Sequence, residues 1–363
     1  MNIALIGNSL ANLVLSKFLI KKGIKVCLYH SKNNFKISPT RTIAISKSNV
    51  NFLQDIGLDI SKFSWPIKNI KIFNEKNKSK ELFNFKNKDK YLFLLVRNKS
   101  FFSFLEKNLK KNKNFSTKTI SKSFKYKRLI NDQYDLIINS DSKNILSKAY
   151  FSKRIKKNYN SKAITTIINH KVNKNDCAYQ VFTKFGPLAF LPYSKNQTSV
   201  VFSFNNSSKE ISDHQIKDII SKYNKFYKLK SFSIFEKFNL DLSLSKNYYY
   251  KNILGFSDNL HKIHPLAGQG FNMTLRDIKI FGDIVEKKLE LGLPLDNSVL
   301  KDFCKETKHL NQIFSTGIDL IYEFFKLENK IDNIYSDKII KYFSNNKFFN
   351  TQIPKFADKG LFF

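Results

Sequence analysis

The chain lacks paired cysteines. Its three, Cys27, Cys177 and Cys304, lie far apart and form no CxxC. That excludes a zinc site, a redox dithiol and a secreted disulfide framework, and points to a reducing cytoplasm. It also lacks any run of about 20 apolar residues, so no segment is expected to span a bilayer. Ile3 to Ile6 is apolar but follows no basic stretch, and Leu10 to Ile20 is interrupted by Ser16 and Lys17. No signal peptide is therefore expected. Acidic residues are few, 29 against 63 lysines and arginines, for a formal charge of +34. Glycine, alanine and arginine are scarce, while lysine, asparagine, isoleucine and phenylalanine abound. Lysine is spread over the whole chain, including Lys76 to Lys90 and Lys107 to Lys113. A nucleic-acid surface would gather arginine and aromatics on one element. The pattern here is a compositional bias over a solvated surface, one that also favours anionic lipid, and no nucleic-acid partner is expected. No catalytic triad, metal-ligand cluster or carboxylate pair stands out.

What is present suffices for a folded protein. Apolar residues make up 42% of the chain, which rules out disorder, and 363 residues can build two intertwined subdomains. Asn2 to Ile6 predicts a strand. Leu10, Leu13, Val14, Leu15, Phe18 and Leu19 recur at helical spacing, and Gly23 stops that helix. Lys25 to Tyr29 predicts the next strand. The order is a βαβ unit, hence a parallel sheet with a right-handed crossover. Thr42 to Leu58 reads as a strand and a helix, 67 to 96 as short strands, Phe101 to Leu109 as a helix, and Tyr134 to Ile138 as a buried strand. From Ala163 to Phe204 strand-type runs dominate and suggest a second sheet. Residues 210 to 226 read as helical. Leu275, Ile278, Phe281, Val285 and Leu289 mark one face of a long helix ended by Gly292 and Pro294. Residues 297 to 345 read as helical throughout.

Two segments carry chemistry. A strand, a glycine turn and a helix can hold a pyrophosphate on free N–H groups. The candidate turn is Gly7-Asn8-Ser9-Leu10-Ala11-Asn12, where only the first position of GxGxxG is glycine. Ser9 stands at the close-approach position, Asn12 at the helix-packing position, and His30 where an acid is expected. Taken alone, a plain structural βαβ turn explains this as well. The second segment runs from Ser257-Asp258-Asn259 to His264-Pro265-Leu266-Ala267-Gly268-Gln269-Gly270-Phe271-Asn272. Its glycines and proline sit directly before a long amphipathic helix. Small residues there let a flat ring approach the backbone, and the helix start offers N–H groups to a developing anion. Asp258 could accept hydrogen bonds from a polyol. An ordinary loop leading into a helix, with two histidines packed beside it, is the competing reading.

This segment resembles the GD…HPxAGQGxN signature of the flavin hydroxylases of ubiquinone biosynthesis, within the para-hydroxybenzoate hydroxylase-like group. The resemblance extends along the chain. Arg41-Thr42-Ile43-Ala44-Ile45-Ser46, with Leu53 and Gly57-Leu58, resembles R-x-x-A-L-S and its helix. Val96-Arg97-Asn98, with Phe101 and Leu105, resembles V-E-N. Gly186-Pro187-Leu188-Ala189-Phe190-Leu191-Pro192, with Ser199-Val200-Val201, resembles the GPLALLP strands. The chain departs from the pattern at Ser257-Asp258 for GD, Ser140-Asp141-Ser142 for ADG, and His30 for the ribose acid. A serine in place of glycine adds a side chain at positions that tolerate one poorly.

The resemblance implies an α/β fold: an FAD-binding, Rossmann-like parallel sheet interleaved with a β-rich substrate domain, then C-terminal helices. It divides the chain into 1–75, 96–150 and 246–296 for FAD, 76–95 and 151–245 for substrate, and 297–363 as the helical region. By resemblance Gly7, Ser9, Arg41, Asn98 and Asp258 hold FAD, and Pro265, Gly268, Gln269, Gly270, Phe271 and Asn272 surround the isoalloxazine. NAD(P)H would reduce FAD as a transient co-substrate, and a flavin C4a-hydroperoxide formed with O2 would hydroxylate the ring of a polyprenylated phenol. No protein residue is expected to be catalytic, because the flavin carries the chemistry. Asp141 is expected to support the sheet and loop, His264 and His261 to pack, and His170, His214 and His309 to be ordinary. Ile313, Phe314, Ile318, Ile321, Phe324 and Phe325 could form an apolar face for peripheral attachment to the inner face of the membrane, or for a quinone-biosynthesis complex. Packing on the domain is the alternative. A catalytically silent, flavin-poor scaffold in such a complex stays open, as does another flavin enzyme of this fold. A halogenase fits least, because Trp65 is the only tryptophan.

Overall fold

A computed structural model describes residues 1–31, 37–75, 81–86, 91–121, 124, 126, 129–130, 134–205, 211–263, 269–328 and 358. Elements are numbered in chain order among these. The first sheet has six strands in the order β16 (Tyr249–Tyr250), β17 (Ile253–Gly255), β9 (Leu136–Asn139), β1 (Asn2–Ile6), β2 (Lys25–Ser31) and β8 (Phe115–Ile120). All its neighbours pair in parallel except β16 with β17. Strands buried on both faces need continuous apolar runs, which Ile3 to Ile6 and Leu136 to Ile138 supply with no exposed surface. Between β1 and β2 runs α1 (Leu10–Lys21), nearly all of it buried. It packs against α3 (Asn98–Leu109) and α6 (Gln269–Glu290). The crossing with α6 is close because Gly282 lacks a side chain: a Cβ there would lie 2.6 Å from the Phe18 ring. The βαβ unit, the parallel sheet and the long helix after Gly270 thus stand as the periodicity predicts.

The second sheet has nine strands. The path is β18 (His261–Lys262), β15 (Glu236–Ser245), β10 (Arg154–His170), β13 (Gln197–Asn205), β12 (Gly186–Pro192), β11 (Cys177–Thr183), β5 (Asn69–Asn74) and β6 (Glu81–Lys86), with β14 (Leu229–Phe232) also on β10. It is antiparallel except where β5 joins β11. Helix α5 (Asp213–Tyr223) covers one face through Ile216 and Ile220, and a capping box between Ser212 and Gln215 starts it. A third sheet is made of β3 (Thr42–Ser46), β7 (Phe93–Arg97) and β4 (Ser64–Ile67), with α2 (Lys47–Asp55) directly after β3. Short α4 (Ile145–Tyr150) follows β9. The parallel sheet interleaved with a β-rich one is the fold class that the sequence implies. One expected element differs in extent, and one strand is additional. β10 begins at Arg154, nine residues before the expected Ala163, and runs for 17. β15 was not anticipated at all.

Helix α7 (Asn297–Glu328) packs on α6. Here one expectation is corrected. Phe314 and Ile318, proposed for an outward apolar face, are 3% and 4% exposed, because they pack with Met273 of α6. Ile313 and Leu320 point outward instead, at 50% and 64% exposure. The side chains of Ile321, Phe324 and Phe325 lie outside the described residues. No described helix is long and apolar enough to cross a membrane.

Candidate functional site

The expected site residues fall into two clusters, one at the turn after β1 and one at the start of α6 with the third sheet. The first is the turn after β1. Gly7 has φ +102°, and a Cβ there would stand 2.9 Å from Ser140 Oγ and 3.1 Å from the Asp141 backbone N. Only glycine fits that conformation and that space. Ser9 caps α1: its Oγ accepts from Asn12 N at 3.2 Å. It also meets Ser140 Oγ at 2.9 Å, and Ser140 Oγ in turn donates to Ile6 O at 3.2 Å. The Asn12 amide donates to Ile6 O at 3.0 Å and Gly7 O at 2.7 Å. The residues that replace two fingerprint glycines therefore bond to the turn itself. Among the described residues, the N–H groups of Leu10 and Ala11 in the first turn of α1 are left for an anion.

Asn259 closes this cluster from below. Its amide donates to Asn139 O at 3.0 Å, Asp141 O at 3.3 Å and Ser147 Oγ at 2.7 Å. Asp141 thus sits under the turn as a support, through its carbonyl and its amide, as expected. Beside Asn259, Ser257 has φ +55°. A left-handed conformation costs a residue with a Cβ free energy, so this serine does occupy a glycine-type position. Ser9 and Ser142 are not left-handed: Ser9 has φ −115°, and Ser142 is not among the positive-φ residues. The Asp258 side chain is exposed, next to a cavity of about 600 Å³ lined by Lys148, Arg154, Lys156, Lys262, Asp241 and Asp258, among others. Arg154 is fixed there by Ser243 Oγ at 2.6 Å and Asn259 O at 2.7 Å.

The second cluster gathers at the start of α6. Asn272, fully buried, stitches α6 to the β3–α2 junction: its Oδ1 accepts from Ser46 N and from the Asn49 amide, both at 3.0 Å, and its own amide donates to Ala44 O at 2.8 Å. Asn98 N donates to Arg41 O at 3.0 Å, which places Arg41, Thr42 and Asn98 together at one end of the third sheet. The Arg41 side chain is exposed. Pro265 and Gly268, with His264, lie outside the described residues. Among the described residues, a Cβ on Gly270 would meet only Ile263 Cγ1, at 3.7 Å. Several buried polar atoms here have no partner among the described residues: Thr42 Oγ1, Asn98 Oδ1, and both Nε2 and Oε1 of Gln269. Buried polar groups are almost always hydrogen-bonded, so these atoms suit a ligand with both donors and acceptors. A flavin ring has both, and the open face of Gly270 and the N–H groups of the helix start suit it. The residues present fit that group.

Three features escaped sequence reading. His261 Nε2 meets Asp277 Oδ2 at 2.6 Å with both side chains buried, and Asn311 donates to Asp277 Oδ1 at 3.1 Å. This clasp joins the residues on either side of 264–268. Asp358 caps α2: its carboxylate accepts from Ser48 N at 2.8 Å and its carbonyl from Ser48 Oγ at 2.8 Å and Ser46 Oγ at 3.1 Å. Arg276 is buried at both Nη atoms without a hydrogen-bond acceptor among the described residues. Of the remaining histidines, His170 is a satisfied core residue between Lys171 O and Thr198 Oγ1. No group of metal-ligating side chains occurs among the described residues.

No family model matches the chain. Among curated proteins it is 24% identical over 251 residues to the mitochondrial ubiquinone biosynthesis monooxygenase COQ6 of Dictyostelium discoideum, covering 54% of this chain and 51% of that one. It is 27% identical over 156 residues to the 3-demethoxyubiquinol 3-hydroxylase of Escherichia coli, covering 41% and 40%. The chain thus spans about half the length of the curated relatives it matches. Among solved structures it superposes on p-nitrophenol 4-monooxygenase PnpA from Pseudomonas putida with a TM-score of 0.78, at 12% identity over 99% of this chain and 98% of that one. PqsL of Pseudomonas aeruginosa, described as a probable FAD-dependent monooxygenase, gives 0.71 at 13% identity over 90% and 96%. The fold is that of these monooxygenases, and the sequence is similar to ubiquinone-biosynthesis hydroxylases.

Proposed function

We propose that this chain is an FAD-dependent monooxygenase that hydroxylates the ring of a polyprenylated phenol in quinone biosynthesis, with NAD(P)H and O2 as co-substrates. The observation that carries this reading is that, among the described residues, both amide atoms of buried Gln269 at the start of α6, and Thr42 Oγ1 and Asn98 Oδ1 at the end of the third sheet, have no hydrogen-bond partner. Bound FAD, reduced by NAD(P)H, would supply the activation of O2 and the delivery of one oxygen atom to the ring. The chain's own residues bind and orient. Gln269, Asn98 and Thr42 hold the polar edge of the ring, and Asn272 fixes the helix start against β3. The positive end of α6 stabilises negative charge that develops beside it. Gly7 lets the α1 turn reach an anion, and Asp258 accepts from a polyol. Attachment to an anionic membrane surface would use the lysine excess and the outward Ile313 and Leu320.

A flavin-poor scaffold is the second reading, favoured by the Ser9–Ser140 contact that closes the α1 turn and by His30 in place of an acid. Titration of the purified chain with FAD separates the two. The enzyme reading expects saturable quenching of flavin fluorescence and FAD-dependent conversion of a prenylated phenol, with the product gaining one oxygen by mass. No quenching at all would establish the scaffold.

A further inference from the structure

The segment that leads into β3 is held by an acid of the second sheet. Glu236, the first residue of β15, stands directly opposite Thr165 of β10. The buried Thr40 hydroxyl docks on both: it bonds the Glu236 carboxylate and lies 2.9 Å from Thr165 Oγ1. The same carboxylate oxygen accepts from Ser38 Oγ, and from Thr40 N at 3.2 Å. A hydroxyl has one proton to give. Ser38 and Thr40 give theirs to Glu236. Ser38 Oγ is then left to accept from Arg41 N at 3.1 Å, and Thr40 Oγ1 from the Thr165 hydroxyl. One ionised carboxylate thus sets the direction of every bond in the group. Burial raises the Glu236 carboxyl, but the Ser38 and Thr40 donors and the Arg41 charge outweigh it and hold the group below the usual carboxylate range.

The arrangement fixes the backbone of Arg41 on both sides. Its N–H goes to Ser38 Oγ, and its carbonyl accepts from Asn98 N at 3.0 Å. Its side chain is exposed, and among the described residues it makes no hydrogen bond or ion pair. A fixed backbone under an unengaged guanidinium lowers the ordering cost of meeting an anion, because the turn has no freedom left to lose. Thr42 Oγ1 and Asn98 Oδ1, unpartnered among the described residues, flank the same turn. We infer that Glu236 is a positioning residue: from the second sheet its carboxylate fixes residues 38–41 and so aims the Arg41 guanidinium at the anionic part of the cofactor, the diphosphate of FAD. This rests on the proposed monooxygenase reading, with Arg41 among the residues that hold FAD. It makes the second sheet, which carries none of the expected cofactor residues, a determinant of cofactor binding.

The test is a double-mutant cycle on the full chain, with Glu236→Ala, Glu236→Gln and Arg41→Met made singly and in pairs. Two readouts are taken on the same samples. Fluorescence titration compares FAD with riboflavin, which has the ring and polyol but no diphosphate. Amide hydrogen exchange at Thr40 and Arg41, measured without ligand, reports the turn alone. Glu236→Ala should speed that exchange about tenfold or more, weaken FAD about three- to tenfold and leave riboflavin unchanged. Glu236→Gln keeps an acceptor oxygen but not the charge, and should fall between. Arg41→Met should weaken FAD by a similar factor without changing exchange at Thr40, and adding either Glu236 variant to it should cost nothing further. Riboflavin weakened as much as FAD, or a Glu236 loss that persists in Arg41→Met, would overturn the proposal, because the acid would then support the fold and not Arg41. Unchanged exchange in both Glu236 variants would overturn it too, as would FAD binding that Arg41→Met leaves intact. A wild type that quenches neither flavin fails the monooxygenase reading instead, and exchange that follows Glu236 in that chain would still assign it the control of the turn.

Discussion

The two helix starts that face the expected cofactor solve the same problem in opposite ways. At α1, the side chains that replace fingerprint glycines turn inward. Ser9 bonds Asn12 N and Ser140, and Asn12 bonds the carbonyls of Ile6 and Gly7. At α6, Gln269 and Arg276 keep buried donors that none of the described residues accepts. Donors satisfied internally add to folding stability, whereas donors left open cost folding and are repaid only by a ligand. The difference teaches that keeping a binding fold need not mean keeping each of its contacts: at α1 the replacing side chains bond to the turn and leave the Leu10 and Ala11 N–H groups and the Asn8 and Asn12 Oδ1 atoms open, whereas at α6 whole side-chain amide and guanidinium groups are left open.

Substitutions can break that contrast, and the largest effect is expected at the α6 end. Asp277→Ala strands a buried histidine and the Asn311 amide, and should cost about 3–5 kcal/mol, read by denaturant unfolding. A loss below about 1 kcal/mol would mean that the His261 clasp is not what holds the loop ends together. Next comes Gly7→Ala at the α1 end. It meets Ser140 Oγ and the Asp141 backbone in a left-handed conformation, so about 1–3 kcal/mol should be lost. Asn12→Ala removes two buried bonds and should cost a similar amount, with little change in flavin binding if the turn is self-contained. Unfolding and FAD titration on one sample would sharpen the comparison: stability without affinity at α1, affinity without stability at Gly270→Val. The smallest effect is a gain. Ser257→Gly relieves φ +55°, partly offset by the entropy of a new glycine, so it should raise stability by at most about 1 kcal/mol.

The contrast also marks what a sequence can carry. The βαβ unit was legible because Leu10, Leu13, Val14 and Phe18 repeat at helical spacing before Gly23. The α6 start was legible because two glycines precede a periodic helix in a glycine-poor chain. β15 was missed although Leu240, Leu242 and Leu244 alternate and are buried, because lysine, asparagine and aspartate around them read as loop. The first residues of β10 were missed because Ile155, Lys156 and Lys157 show no alternation there. The inward turn of Phe314 and Ile318 depends on where α7 meets α6, which periodicity alone does not fix. The positions of Arg276 and Asp358 are tertiary facts, and no local pattern announces an absent acceptor. Of the three serines proposed at glycine positions, only Ser257 adopts the left-handed conformation, since whether a backbone turns there depends on the loop and not on the residue replaced.

The account's central claim is that the ring end, not the phosphate end, carries the affinity for the flavin. Comparing FAD with riboflavin, which has the ring and polyol but no phosphate or adenosine, tests it most directly. Fluorescence titration of the wild type should give affinities for the two that differ by no more than about tenfold, or 1.4 kcal/mol, and Gly270→Val should abolish both. An FAD affinity a thousandfold or more above that of riboflavin, surviving in Gly270→Val, would contradict the claim and return the binding energy to the α1 turn.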